Sequence, residues 1–451
     1  MTERSPRLLV AGPAGGLNRD ILRLAVPALG ALVAEPAFLI VDAALVGHLG
    51  VIPLAGLGIA SAVLQTIVGL MIFLAYATTP AVARRFGAGD PSRAVSAGID
   101  GMWLALGAGA VLALGGWLTT PALVGALGPT PEVAEQARTY LGLSMAGLPA
   151  MLIVFAATGL LRGMQDTLTP LRIAGLGFTA NAGLNFLLIY GFGWGIAGSA
   201  IGTVIAQWAM VAAYVVVIGR LASRHSARLR PQREGIGGSA RSGGWLFLRT
   251  LSLRVALLST VVVATGMGPE ELAGYQVVFT IFTAAAFALD ALAIAAQALV
   301  GKGLGAGDTA FVKRVLGRTM SWGIWFGVIV GALIAVLSSS IGLLFTGSPA
   351  LAALILPALL VLAAAQPIAA VVFVLDGILI GAGDAAYLAL AGAANLVVFL
   401  PVLVIVSATG ISGASGLVWL AASFFGVYLC ARLLTLGWRV RGTAWQRVGA
   451  H

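Results

Sequence analysis

Long apolar runs separated by short polar turns make up most of the chain. Crossing roughly 30 Å of hydrocarbon takes about 20 helical residues. Twelve windows reach that length, at 20–46, 54–82, 94–119, 132–161, 170–191 and 195–220, then 244–266, 270–300, 312–340, 349–380, 386–408 and 411–438. Their apolar character is continuous and does not alternate in segments of about ten residues, so the pattern predicts helices and excludes a barrel. The expected fold class is an all-α membrane protein of twelve transmembrane helices in two six-helix bundles. One segment interrupts the rhythm: 222–243 is rich in Arg, Gly and Ser, carries Pro231, and reads as a basic cytoplasmic linker. The organisation that follows is a tail at 1–18, an N-lobe at 19–221, the linker at 222–243, a C-lobe at 244–438 and a tail at 439–451.

The two lobes repeat one another. Pro53-Leu54-Ala55-Gly56 corresponds to Glu271-Leu272-Ala273-Gly274, Gly87-Ala88-Gly89-Asp90 to Gly305-Ala306-Gly307-Asp308, and Gly163 and Asp166 to Gly381 and Asp384, all at an offset of 218. Gly195-Ile196-Ala197-Gly198 then matches Gly410-Ile411-Ser412-Gly413 after a deletion of three. Four matches in order indicate an internal duplication. Each half holds an even number of spans, so both enter the membrane in the same direction. The repeat is therefore parallel, with a pseudo-two-fold axis along the membrane normal and a substrate path expected between the halves.

Composition sharpens this picture. Hydrophobic residues are 60% of the chain and charged ones 9%, too few to cover a water-facing surface. The formal net charge of +10 does not point to nucleic acid, because the basic residues are sorted by alternate loops and are not clustered with stacking aromatics. Arg84, Arg85 and Arg93, then Arg162 and Arg172, then the linker arginines, and later Lys302, Lys313, Arg314 and Arg318 all fall on one side. The positive-inside rule makes that side, and both termini, cytoplasmic. The lone Cys430 excludes an internal disulfide and a cysteine metal cluster. The first eighteen residues lack the apolar core of a removable signal peptide.

An ionisable side chain inside hydrocarbon costs several kcal/mol, about 2.5–3.5 on insertion scales, so each one demands an explanation. The deep acids are Glu35, Asp42, Asp290 and Asp376, and the one deep base within these boundaries is Arg254, placed to pair with Asp290 or Asp376. Glu35 and Asp42 have no basic partner in their own half. Each therefore faces a wet cavity, coordinates a cation or carries a proton, which is the equipment for cation coupling. Both lie on the first span, two turns apart on one face, with Pro27 and Pro36 able to kink that helix. Asn181 and Asn185 stand one turn apart on the fifth span, and Thr203 and Gln207 on the sixth, forming a neutral polar stripe beside the unpaired acids. Asp100 lies near a span end and is expected to be solvated. The Gly-Ala-Gly-Asp turns lack the Lys-Ser/Thr of a phosphate loop, the three histidines are dispersed, and no catalytic constellation or metal-ligand spacing is present. An enzyme is not expected, nor any cofactor beyond a coupling ion.

Leu24-Ala25-Val26-Pro27, Glu35-Pro36, the run Val41-Asp42-Ala43-Ala44-Leu45-Val46-Gly47-His48-Leu49-Gly50, and Pro53-Leu54-Ala55-Gly56-Leu57-Gly58 resemble the multidrug and toxic compound extrusion (MATE) family. Leu161-Arg162-Gly163-Met164-Gln165-Asp166-Thr167 and Gly381-Ala382-Gly383-Asp384 resemble the loop signatures of its DNA-damage-inducible-F-like branch. The likeness covers essentially the whole chain. It implies two six-helix bundles forming a V and exporting amphipathic, often cationic compounds in exchange for protons or sodium. It further implies that Asp42 is the coupling carboxylate, with Asn181 and Thr203 beside it, Tyr140 lining the pocket and Pro27 as the bending point. Some relatives carry a second aspartate at the position of Asn185, and sodium-coupled relatives carry an acid on the seventh helix that is not evident here. Protons are thus favoured over sodium, which would sit at Asp42, Asn181 and Thr203.

The expected function is secondary active export of such compounds by alternating access, from a monomer in the inner membrane. Glu35 and Gln207 join Tyr140 in the substrate pocket, and no nucleic acid is involved. The rivals are a lipid-linked precursor flippase, which needs several basic residues in its cavity, and a non-transporting membrane scaffold.

Overall fold

The computed structural model describes residues 14–345 and 348–449. Within them are twelve helices long and apolar enough to cross a membrane: α1 Gly16–Gly47, α2 Val51–Gly87, α3 Pro91–Gly125, α4 Pro131–Gly163, α5 Leu168–Gly191 and α6 Gly195–Arg224, followed by α7 Arg233–Met267, α8 Pro269–Gly305, α9 Thr309–Phe345, α10 Pro349–Gly381, α11 Ala385–Ala408 and α12 Gly413–Arg441. This is the all-α, twelve-helix architecture that the apolar windows predict. The even number of crossings brings both ends of the bundle to one face, the terminal face.

The sequence repeat is also a backbone repeat. Left-handed φ values recur at Gly50 (125°) and Gly268 (144°), at Gly89 (82°) and Gly307 (74°), and at Gln165 (67°) and Gly383 (70°), each pair 218 residues apart. After each of the last four, an aspartate opens the next helix. Asp90 accepts from the Arg93 amide at 2.9 Å, Asp308 from the Phe311 amide at 2.7 Å, and Asp166 from the amides of Leu168 and Thr169 at 3.1 and 3.0 Å. The Gly-x-Gly-Asp signature is thus a helix stop followed by a helix start, in which a left-handed residue ends one span and a carboxylate caps the next. Asp384 departs from this pattern and pairs with Arg439 at 2.6 Å.

The linker is shorter than its composition suggests. α6 runs to Arg224 and α7 begins at Arg233, so only 225–232 separates the lobes and 233–243 is helical. Two of the glycines there are packing positions: a Cβ on Gly243 would press on the Phe73 ring of α2, and one on Gly235 would collide with the Asp100 carboxylate. The start of α7 is fixed by the buried Asp100, 4% exposed rather than solvated, whose Oδ1 accepts from the Gln232 amide at 2.9 Å.

The lobes meet where α2 and α8, related by the repeat, cross near the terminal face. A Cβ on Gly87 would overlap the Lys302 carbonyl, and one on Gly305 the Arg84 carbonyl, so two duplicated glycines let two backbones touch. Further in, Gln297 Nε2 donates to the Tyr76 carbonyl and Gln165 Nε2 to the Ala298 carbonyl, both at 3.1 Å. A valine at Gly87 is expected to wedge this crossing open at a cost of about 1–3 kcal/mol. The check is thiol labelling of a cysteine placed at Ser242, which the wedge should accelerate.

The interiors of the lobes have diverged. In the C-lobe, Phe279, Phe282, Phe399, Phe424, Phe425 and Tyr428 form a continuous ring cluster, with centroids 5.1 Å apart for Phe282 and Phe425 and 5.2 Å for Phe399 and Tyr428. The position repeating Asp42 is Thr260, fully buried and bonded to its own helix. The N-lobe keeps an open space where the C-lobe is filled with rings.

Candidate functional site

The N-lobe space is a cavity of about 110 Å³ bounded by α1, α2, α4, α5 and α6. Its walls are largely apolar, with Phe38, Leu64, Val68, Met151, Phe178 and Met210 among them, and Glu35 is the one charged residue that lines it. Glu35 is accessible, and no ionic or hydrogen-bonded partner holds it among the described residues. Local helix breaks shape the chamber. α4 tightens into a 3-10 turn at Met145–Gly147 ahead of Pro149, and a Cβ on Gly147 would collide with Gln207 Oε1. α5 loosens into a π turn at Leu187–Gly191, just past Asn185. Such turns free backbone geometry without ending the span.

Asp42 sits behind this chamber, 3% exposed, with Tyr140, Asn181 and Thr203 lining the space and Asn185 and Ser199 closing in from α5 and α6. Three donors converge on its carboxylate: Ser199 Oγ on Oδ1 at 2.6 Å, Asn185 Nδ2 on Oδ1 at 2.8 Å, and Tyr140 Oη on Oδ2 at 3.1 Å. The network continues outward. Asn185 Nδ2 also reaches Asn181 Oδ1 at 3.1 Å, and Asn181 Nδ2 donates to Thr203 Oγ1 at 3.0 Å on the chamber wall. A carboxylate is an acceptor only when ionised, and hydroxyls can reverse their role when it gains a proton. The same shell can therefore hold either state, with whichever of Ser199 or Tyr140 faces the protonated oxygen turning from donor to acceptor while the other goes on donating. The amide oxygen of Asn185 faces Gly202 and lacks a hydrogen-bond partner, so the amide presents nitrogen, not oxygen, to Asp42.

The sequence-derived candidates thus assemble well in the N-lobe: Asp42, Asn181, Asn185, Thr203, Tyr140, Glu35 and Gln207 share one chamber or its immediate wall. Ser199 was missed. Its signal is nevertheless present, since Ser199, Thr203 and Gln207 are spaced four apart on one face of α6, extending the polar stripe by one turn. Pro27 and Pro36 both lie inside α1, whose helix is unbroken through them to Gly47.

The C-lobe candidates pair differently from the expectation. Asp376 is bound by Arg249 and Arg432, not by Arg254: Arg249 Nε approaches Oδ1 at 3.1 Å, its Nη2 also bonds the carboxylate, and Arg432 Nη2 lies 3.4 Å from Oδ2. Asp290 accepts from Tyr76 Oη at 3.3 Å across the lobe interface. Arg254 makes no ion pair among the described residues and packs its guanidinium against Gly69 of α2. The correction follows from the helix boundary: α7 begins eleven residues earlier than its apolar window, which carries Arg249 deep into the bundle.

Comparison with known proteins agrees with this architecture. The MatE family pattern matches residues 27–187 and 247–405. Protein DETOXIFICATION 44, chloroplastic, of Arabidopsis thaliana is 30% identical over 444 residues, covering 94% of this chain and 82% of that protein. DNA damage-inducible protein F of Escherichia coli (strain K12) is 30% identical over 308 residues, 64% of each chain. Among solved structures, a mutant of the Vibrio cholerae MATE transporter VcmN superposes with a TM-score of 0.86 at 20% identity, over 96% of this chain and 99% of that one. A MATE crystallised in the bent conformation gives 0.87 at 21% identity, over 96% of each chain. At those identities the structural likeness is one of fold. With both repeats matched and a plant relative aligned over 94% of this chain, the chain belongs to the MATE family of multidrug efflux proteins, and it is a multi-pass membrane transporter and not an enzyme.

Proposed function

We propose that the chain is a secondary active exporter that exchanges amphipathic, often cationic compounds for protons, from the inner membrane with both termini cytoplasmic. The observation that carries this reading is Asp42: a buried acid, wired through Tyr140 and the Asn185–Asn181–Thr203 chain to a largely apolar chamber. With no cationic partner among the described residues, a buried carboxylate held only by neutral donors is costly to keep charged, so its ionisation is linked to whatever opens or fills the chamber. Protonation would redirect Ser199, Tyr140 and Asn185, bend α1 about Pro27 and expel the bound compound. Binding of substrate and of proton are then mutually exclusive.

Protons are preferred over sodium for a geometric reason. The Asn185 amide nitrogen already donates to Asp42 Oδ1 and Asn181 Oδ1, two of the oxygens that a sodium ion at Asp42, Asn181 and Thr203 would need. The chamber also supports cation selectivity, because Glu35 is its single charge and no arginine or lysine lines it. That same lining disfavours a flippase for lipid-linked pyrophosphates.

The test is proteoliposomes carrying a pH gradient, to which a lipophilic cationic dye is added with and without sodium. The expected result is dye-dependent collapse of the gradient that sodium does not replace. Dye movement that depends on sodium and ignores pH would overturn the proton assignment. In the same assay Glu35→Gln is expected to weaken cationic dyes about tenfold while leaving neutral amphiphiles within twofold, as loss of one charge contact in a shielded cavity implies.

A further inference from the structure

A second, larger cavity of about 720 Å³ lies at the terminal face, outside the N-lobe chamber. It is walled by the end of α2, the start of α3, the linker and first turns of α7, the α10–α11 turn and the C-terminal tail, so it touches both lobes. Five arginines line it: Arg84, Arg85, Arg93, Arg228 and Arg447. Two acids, Asp100 and Glu234, line it as well.

The partners of these groups leave positive charge in excess. Asp100 gives one oxygen to the Gln232 amide. Arg93 is paired with Asp90 at 3.4 Å. Arg84, 5% exposed, donates to three neutral carbonyls, those of Ala382, Arg447 at 2.9 Å and Gly449 at 3.2 Å, and so ties α2 to the C-lobe and to the tail. Among the described residues Arg85 hydrogen-bonds the Ala81 carbonyl of its own helix, at 2.8 Å, and both it and Arg228 lie within the field of Asp100, which offsets one of their two charges. The guanidiniums of Arg228 and Arg447 are exposed and make no hydrogen bond or ion pair among the described residues. The positive-inside rule accounts for which face these residues occupy. It does not account for five of them, drawn from α2, α3, the linker and the tail, lining one cavity.

We infer that this chamber is a binding site for a phosphate-bearing anion, held by Arg228 of the linker and Arg447 of the tail together with Arg85 of α2. Guanidinium forks match phosphate oxygens in pairs, and the volume lies within the range of small-molecule sites. An anion seated there bridges the N-lobe, the linker and the C-terminal tail, and so favours the arrangement in which α2 and α8 are crossed. Its binding does not depend on the direction of transport or on the coupling ion. The phosphate has two sources, a soluble cytosolic phosphate compound or the headgroup of an anionic lipid.

The experiment uses the full chain in nanodiscs and reads the thermal unfolding midpoint. In phosphatidylcholine discs, inorganic pyrophosphate is titrated in; in a second arm, phosphatidylglycerol replaces part of the phosphatidylcholine without pyrophosphate. A saturable rise in midpoint in the first arm assigns the soluble source, and a rise in the second alone assigns the lipid. The Arg228→Gln/Arg447→Gln double variant is expected to shift the midpoint concentration at least tenfold in the responding arm, and added salt to weaken binding steeply. Lys313→Gln/Arg314→Gln, the same charge change on α9 away from the chamber, serves as control and is expected to behave as the parent. No stabilisation in either arm, or equal loss in the control and the chamber variant, overturns the site.

Discussion

Asp42→Asn is expected to abolish transport against a gradient, by at least a hundredfold, while leaving the protein folded. The substitution is close to isosteric and preserves the shell. Its amide oxygen still accepts from Ser199 and Asn185, and its amide nitrogen donates to Tyr140 Oη, which then acts as acceptor. The variant therefore imitates the protonated carboxyl permanently. In the parent, if proton and substrate exclude one another at one carboxylate, dye affinity falls as pH falls, by up to tenfold per pH unit once the proton is the dominant ligand. Asp42→Asn should show weak dye binding with no pH slope, and an unfolding midpoint within a few degrees of the parent. Equilibrium dye binding across pH 5 to 9, alongside export in vesicles, checks both. Full export by the variant, or a pH slope that persists in it, would place the coupling elsewhere. Ser199→Ala offers a graded companion: it removes the shortest donor, and a shifted but surviving pH slope is expected.

Much of this site was legible in the sequence because of how severely a bilayer restricts polar groups. An acid in an apolar run stands out, and Asp42 with Asn181, Asn185 and Thr203 could be grouped by helical spacing alone. The duplicated turns were legible for a stricter reason. A backbone that must adopt positive φ accepts few residues, so Gly89 and Gly307, or Gly50 and Gly268, persist in both halves after the side chains around them have diverged. What was not legible depended on composition misrepresenting helix length. Residues 233–243 carry the Gly and Ser of a flexible linker, yet Gly243 is small because Phe73 lies against it. That misplaced boundary hid Arg249 and promoted Arg254. Ser199 escaped notice because one hydroxyl in a Gly-Ala-rich helix is ordinary until a carboxylate is seen 2.6 Å away. Nor could spacing show that the C-lobe space would be closed by six aromatic rings, which is a property of tertiary packing.

The contrast between lobes bears on which acid couples, and Asp376 decides it. Asp376 is expected to be a structural residue whose loss is costly: Asp376→Asn should destabilise the protein by about 3–5 kcal/mol, as removal of one member of a buried ion pair does. The reason is the charge left behind. Arg249 on α7 and Arg432 on α12 both point at this carboxylate with side chains 12% exposed, and without it two guanidiniums face each other in a dry interface. The double variant Asp376→Asn/Arg432→Met should recover about half of that loss, because one of the two stranded charges goes with it and Arg249 retains the Tyr76 ring and the field of Asp290. Unfolding midpoints of the two single variants and the double variant give the cycle. Transport provides the second readout: in whatever fraction remains folded, the double variant should keep pH-dependent export, since a carboxylate already held by two guanidiniums has no capacity for a further cation. Should Asp376→Asn instead remain as stable as the parent and lose coupling, the C-lobe acid would be the working one, and the three-donor shell around Asp42 would be a structural hydrogen-bond network.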